Sequence, residues 1–322
     1  MIPPNQSNRP LIKDTKVVGT SFVVSISDVL INAVVAAVTG SVVMLSQALQ
    51  GFSDLVTTGL LYRGVKVSKR KRDEKHHFGY GRELFFWVII AGVFMFFGTG
   101  MLSVYFGLQQ ILNPQPLDDI SIAIVVLIIS LVANSYAFSL SVRRLKHSSA
   151  KTSLIQHIRS SSMIETKSTF LIDFLGTLAA IIGLIAISSF ILTGNSQFDG
   201  LGGLTIGLLM MIGSIMIITD VKGLIVGRAV SREVAQKINV AALSVQHVER
   251  ILDLRTTYIG SARLLIIIEV HLDDHLTTNE IELISDEIKS AIKLDVPHAH
   301  IIQVEIETPD EELNLAGNRE KL

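Results

Sequence analysis

The sequence predicts a polytopic α-helical membrane protein with six transmembrane helices, followed by a small α/β cytoplasmic domain of ferredoxin-like αββαβ order. Three observations predict it. The chain of 322 residues is 49% hydrophobic, has a mean hydropathy of +0.49 and carries only 18% charged residues. Its apolar residues gather into six stretches near 16–39, 41–64, 83–107, 118–142, 166–192 and 200–226, each long enough to cross the hydrocarbon at 1.5 Å per helical residue. After Gly227 the pattern changes to short amphipathic segments of a water-facing fold.

The N-terminal segment, residues 1–15, is a polar tail without the short apolar core of a signal peptide. The first two stretches meet at a tight turn, Gly40-Ser41. Between the second and third lie Arg63, Lys66, Lys69, Arg70, Lys71, Arg72, Lys75 and Arg82. Between the fourth and fifth lie Arg143, Arg144, Lys146, Lys151 and Arg159. The opposite loops, LQQILNPQPLDDI and TGNSQFD, have no Lys or Arg. The positive-inside rule then puts both termini in the cytoplasm. The transmembrane domain is expected over 16–227.

Residues 228–308 form the expected cytoplasmic domain. The segment 231–247 reads as an amphipathic helix. Two strands follow around a turn at Gly260-Ser261, and Leu264, Ile266, Ile268 and Val270 share one face of the second. TTNEIELISDEIKSAIKL is a helix capped by Thr277 or Thr278, with acidic residues in its first turn. HAHIIQVEIE is the last strand. Residues 309–322 are a polar tail.

Charge and cysteine content exclude several classes of function. A net charge of −1 gives no general attraction for nucleic acid. The absence of cysteine removes disulfides, thiolate metal sites and cysteine nucleophiles. No HExxH or comparable nucleophile motif points to an intramembrane enzyme, and no filter loop to a channel. No cofactor is expected.

Chemistry concentrates in two acidic pairs, Gln50 with Asp54 (QGFSD) and Thr169 with Asp173 (TFLID). A carboxylate in the membrane interior costs about 2.5–3.5 kcal/mol on insertion scales. Residues at i and i+4 share a helix face, so each pair aims its oxygens at one point. The second stretch ends at Arg63, nine residues past Asp54, which is about 13 Å along a helix. The fifth runs the other way and starts after Lys167, six residues before Asp173, about 9 Å. Both carboxylates therefore sit at similar depth. The alternative is buried polar glue between helices. Asp28 and Asn32 form another i, i+4 pair, which either lines an access path or, as favoured here, holds the first helix to its neighbours. Asn134 reads as packing glue, Glu165 as a solvated charge, Asp220 with Lys222 as an interfacial pair, and Gly203 with Gly207 as a weak close-packing motif.

The residues also resemble a known family. GSVVMLSQALQGFSDLVTTGLL is similar to the second span of the cation diffusion facilitators. HHFGYGRE resembles their HPxGYGRxE signature, with His77 where proline is usual; DFLGTLAAIIG and FDGLGGLTIG resemble their fifth and sixth spans. With FFW and NPQP nearby, the chain looks most like the zinc transporter 9-like branch. The resemblance covers nearly the whole chain. It implies a cation–proton antiporter, usually a homodimer through the cytoplasmic domain, with a transport site made by Gln50, Asp54, Thr169 and Asp173. It also implies that the carrier's cargo is a divalent cation, Zn²⁺, Mn²⁺ or Fe²⁺.

The family has His or Asp at the first site position and commonly His at the third, where this chain has Gln50 and Thr169. An all-oxygen set of formal charge −2 favours Mn²⁺, Mg²⁺ or Fe²⁺ over tetrahedral Zn²⁺, although Zn²⁺ also accepts carboxylates. Without metal, two close carboxylates should share a proton, which metal then expels. The same departures motivate the alternative of a non-transporting regulatory or scaffold subunit. Secondary metal sites are candidates at Asp73, His76 and His77, beside Glu74 in a cytoplasmic loop, and at His247, His271, His275, His298 and His300 in the cytoplasmic domain, where Asp273 and Asp274 lie beside two of them. Loop-ordering and isolated surface histidines are the competing readings, and His147 and His157 lie in the second basic loop. The compact chain leans toward a bacterial inner membrane.

Overall fold

A computed structural model describes residues 11–148 and 164–308. The described residues group into two compact units. One draws on Met1–Arg63, Trp87–Leu154 and Glu165–Thr219, the other on Gly64–Phe86, Ile155–Ile164 and Asp220–Leu322.

The first unit is helical. Its helices, some extending into the second unit's sequence, are α1 (Leu11–Thr39), α2 (Val42–Ser68), α3 (Glu83–Leu112), α4 (Ile120–Ser148), α5 (Ile164–Thr193) and α6 (Gln197–Val226). They overlie the six apolar stretches. Among the described residues, four are long and apolar enough to cross a membrane: Glu83–Leu112, Ile120–Arg143, Thr166–Thr193 and Gln197–Val226. In α1 the run Ser25–Thr39 is a shorter apolar helical segment among the described residues. In α2 the residues Ser46, Gln47, Gln50, Ser53 and Asp54 dilute the hydropathy. Large apolar side chains on the outer faces are open, including Ile129 at 60% and Val132 at 65% exposure on α4. A belt of that kind suits lipid rather than water.

The core of this unit holds Val43, Met44, Leu127, Ala179, Ala180, Ile187 and Ile206, all fully buried. Helices α3 and α6 cross at backbone contact. A Cβ on Gly107 would lie 2.8 Å from the Gly200 carbonyl oxygen, and one on Gly207 would lie 2.8 Å from that of Gly100. Gly207 thus packs against a helix of its own chain, as does Gly203 against Val42, in the small-residue manner of membrane helices. Helix α3 is not regular: Met95–Met101 form a π-helical turn. There Thr99 donates to the Leu49 carbonyl (3.0 Å) and pairs with Ser53 Oγ (2.6 Å) on α2.

The second unit contains a three-stranded sheet. Its elements run α7 (Arg232–Leu243), β1 (Val248–Gly260), β2 (Arg263–Leu272), α8 (Thr278–Asp295) and β3 (Ala299–Ile306). This is the expected αββαβ order, one strand short of a complete βαββαβ ferredoxin-like sheet. Strands β1 and β2 pair antiparallel and β2 and β3 parallel, in the order β1-β2-β3. Alternation on β2 buries Leu264, Ile266, Ile268, Val270 and Leu272. Against them pack Ile238, Ala241 and Ala242 of α7 and Ile284, Ile288 and Ile292 of α8, the latter at i, i+4, i+8. Thr277 is the N-cap of α8 and forms a capping box with Glu280. Helix α7 stops at Leu243, four residues earlier than expected, because the chain turns at Ser244 to enter β1.

A further expectation is corrected. Asp220 accepts from Arg228 (2.7 Å to Nη1), eight residues on; Lys222, two residues away, lies on another side of the helix. Gly81 sits against the β1–β2 hairpin, where a Cβ would lie 2.3 Å from the Ile259 carbonyl oxygen. The segment containing Lys151, His157 and Arg159, the first ten residues and the tail after 308 lie outside the described residues, as do the side chains of His147 and Glu165.

Candidate metal centre

Helices α2 and α5 carry the candidate oxygens, and α4 packs beside α5. Gln50 is buried at 4% exposure on α2, one turn before Asp54 on the same helix face. Asp54 is close enough to Asp173 of α5 for the two charges to act on each other. Asp173 accepts a short hydrogen bond from Ser141 Oγ of α4. Thr169 is half-buried one turn before Asp173 on the same face of α5. Phe138 of α4 packs between Phe170 and Phe174, with ring centroids 5.4 and 5.6 Å away, and so holds α4 to α5 beside the carboxylate.

The Gln50 amide reaches across to α5. A Cβ on Gly176 would lie 2.7 Å from Gln50 Nε2 and 3.0 Å from Asn134 Oδ1. Only glycine leaves room there for both amides. Gln50 Oε1 itself is buried and has no hydrogen-bond partner. A buried carbonyl-type oxygen left unpaired one helical turn from a carboxylate residue is an open acceptor, which a hard cation would complete. On the side of α2 nearer its basic loop, Thr57, Leu61, Ser168 and Ile172 border a gap of about 10 Å³, room for a single water.

Sequence reasoning missed several supporting groups. Ser141 carried no signal beyond being a serine in an apolar helix. Asp199 is fully buried in the first turn of α6 and caps α2: Ser41 Oγ donates to its Oδ1 (2.5 Å), and the amides of Val42 and Val43 donate to Oδ2 and Oδ1 (2.7 and 3.1 Å). A lone acid in an apolar stretch was the available clue. Helix α2, which bears half of the candidate centre, is therefore anchored at its start by a distant carboxylate.

The secondary candidates do not gather. Asp73 accepts from the His76 amide (2.8 Å) and from the Tyr80 hydroxyl (2.6 Å), and His76 Nδ1 is 3.5 Å from it. The Tyr80 hydroxyl, more than any other contact, holds the Asp73 carboxyl below the usual carboxylate range. His77 is exposed. His247 pairs with Asp273 (2.8 Å), and His271 lies 3.5 Å from Glu249. His275, His298 and His300 are exposed. Among the described residues, no group of three or more His, Cys, Asp or Glu side chains comes close enough to hold a metal ion.

Comparison with known proteins fixes the family. Residues 19–225 match the model of the cation efflux transmembrane domain, and residues 230–308 match that of the cation efflux protein cytoplasmic domain. The chain belongs to the cation diffusion facilitator family. Relatives include the mitochondrial proton-coupled zinc antiporter SLC30A9 of Mus musculus, 29% identical over 74% of this chain and 43% of that protein. The magnetosome protein MamB of a Magnetospira strain is 26% identical over 90% of this chain and 93% of its own length. The cation-efflux pump FieF of Klebsiella pneumoniae is 24% identical over 92% and 93%. The chain spans less than half the length of the zinc antiporters it matches. Membership makes this an integral membrane protein of a family that exports metal cations, and its relatives are transporters rather than enzymes.

Proposed function

We propose that the chain is a proton-coupled exporter of a divalent cation, bound by Asp54 and Asp173 with Gln50 and Thr169 inside a six-span domain whose termini are cytoplasmic. The unpaired, buried Oε1 of Gln50, on the side chain one helical turn before Asp54, carries the proposal. Helix packing alone gives no reason to bury an open acceptor there, since a buried polar atom without a partner costs about 1–3 kcal/mol. A cation of charge +2 balances the two carboxylates, and the neutral oxygens complete a hard set. This chemistry ranks Mn²⁺ and Fe²⁺ ahead of Zn²⁺, although the antiporter relatives are named for zinc.

Proton coupling follows from charge. Two carboxylates serving one centre in a medium of low polarity cannot both stay ionised cheaply, so the metal-free centre would carry a proton. An arriving dication displaces that proton, and departure of the metal restores it. The exposed leucines 283 and 294 of α8 (66% and 82%) offer an apolar surface for a homodimer through the cytoplasmic domain. The bacterial relatives, matched over nearly their whole length, favour a bacterial inner membrane.

The test is flux into proteoliposomes with Mn²⁺, Fe²⁺ and Zn²⁺ under an imposed pH gradient, beside Asp54→Ala. Uptake that needs both the gradient and Asp54 supports the proposal. Folded protein that moves none of the metals points instead to a regulatory or scaffold subunit.

A further inference from the structure

We propose that Asp28, Asn32 and Ser130 form a second, oxygen-lined subsite for a divalent cation, one helix away from Asp54. The subsite deepens the transport proposal and rests on it for its purpose. Asp28 and Asn32 occupy one face of α1, one turn apart. Ser130 Oγ of α4 lies 3.3 Å from Asp28 Oδ1. Asn32 is 1% exposed, and its Nδ2 donates to the Asp28 backbone carbonyl at 2.8 Å. That bond fixes the amide and leaves Asn32 Oδ1 buried with no partner.

The cluster faces the candidate centre. A Cβ on Gly51 of α2 would lie 3.6 Å from Asp28 Oδ2 and 2.9 Å from Val29 Cγ2, so the bare backbone of Gly51 is what lets α1 approach. Gly51 follows Gln50 directly and precedes Asp54 by three residues on the same face. Asp28 therefore lies beside the stretch of α2 that carries Gln50 and Asp54. A carboxylate, an amide oxygen and a hydroxyl are hard ligands, suited to a cation that keeps part of its water shell, as Mn²⁺ and Mg²⁺ do. A helix-packing role accounts for the Ser130 contact. It does not account for the open acceptor on Asn32, which packing would pair or exclude. The subsite is a waiting position from which a cation passes to Asp54 and Asp173.

Two cations side by side repel, so the subsite is best measured with the main centre disabled. Mn²⁺ binding to the full chain in nanodiscs, read from the electron paramagnetic resonance signal of free Mn²⁺, separates the cases. In an Asp54→Ala/Asp173→Ala background, one weaker Mn²⁺ site is expected, lost on adding Asp28→Asn. Adding Asn32→Asp instead should tighten it about tenfold, since ligand charge sets affinity; a purely structural Asn32 would leave it unchanged or weaker. No Mn²⁺ binding in that background, or binding indifferent to Asp28→Asn, overturns the subsite. If the Asp54→Ala/Asp173→Ala protein binds Mn²⁺ as the unaltered chain does, the main centre is wrong, whatever Asp28→Asn shows.

Discussion

Substituting Gly176→Ala should impair cation binding while leaving the protein folded. The added Cβ would stand 2.7 Å from Gln50 Nε2 and 3.0 Å from Asn134 Oδ1. Comfortable contact begins near 3.5 Å, so the Gln50 amide must retreat by roughly 0.8 Å. Both obstructing atoms are the ends of flexible side chains, which places the stability loss at the low end of the ~1–3 kcal/mol typical of overpacking. The retreat displaces the whole amide, Oε1 included, and loss of one neutral oxygen ligand should raise KM for Mn²⁺ flux about tenfold, or ~1.4 kcal/mol. Gly183→Ala is the control on the same helix. Its Cβ would meet Val43 Cγ1 at 2.9 Å and Leu127 Cδ2 at 3.2 Å, with Gln47 Nε2 no closer than 3.7 Å. It should lower the melting temperature and leave KM alone. The assay is metal flux in proteoliposomes, paired with thermal melts of the same preparations. An unchanged KM in well-folded Gly176→Ala protein would remove Gln50 from the ligand set. An equal rise in both variants would reduce the effect to general packing.

Other perturbations test the supporting structure. Asp199→Ala strips three donors at the start of α2 of their acceptor, each worth about 1–3 kcal/mol when left buried and unpaired; the melting temperature should fall sharply, and a melt within a degree of the unaltered chain would show that the cap is dispensable. Asp73 has a lower pKa folded than unfolded, chiefly through the Tyr80 hydroxyl, so its bonds contribute fully above the ordinary carboxylate range and are lost only as pH falls through the depressed value. Tyr80→Phe should move the Asp73 carboxyl titration upward in an NMR experiment, and an unmoved midpoint would assign the shift to the backbone amides instead. Thr277→Ala breaks the capping box of α8 and should cost about 1 kcal/mol, seen as faster hydrogen exchange in the first turn of that helix while the sheet stays protected.

Position along the chain was easier to read than partnership. All six helices lie over the apolar stretches, because apolar composition is a local property that a sequence displays residue by residue; four of them are long and apolar enough to cross a membrane. Helix α2 shows the limit of that signal: the polar groups that give it chemical interest also lower its hydropathy below that of an ordinary spanning segment. The αββαβ order was visible from alternation on β2 and the capping residues of α8, which are again local. The two carboxylates stood out by their cost in an apolar stretch, and helical periodicity put Gln50 and Thr169 beside them. Ser141 beneath Asp173, Asn134 beside the Gln50 amide and the π turn that presents Thr99 to α2 depend on contacts between helices far apart in sequence. No local rule exposes them. The Asp220–Arg228 pair was missed for a similar reason: Arg228 lies beyond the end of its helix, and only the turn at Gly227 folds it back.

The carboxylate of Asp199 sets a condition on how this protein is made. Ser41, Val42 and Val43 are synthesised more than 150 residues before the side chain that accepts from them. While the ribosome is still delivering the middle of the chain, the leading end of α2 lacks the acceptor that these groups have in the folded protein. Only arrival of the last membrane helix supplies the missing acceptor. A nascent chain cut short anywhere before residue 199 would present an unsealed helix end to the quality-control proteases of its membrane, whereas a finished one conceals it.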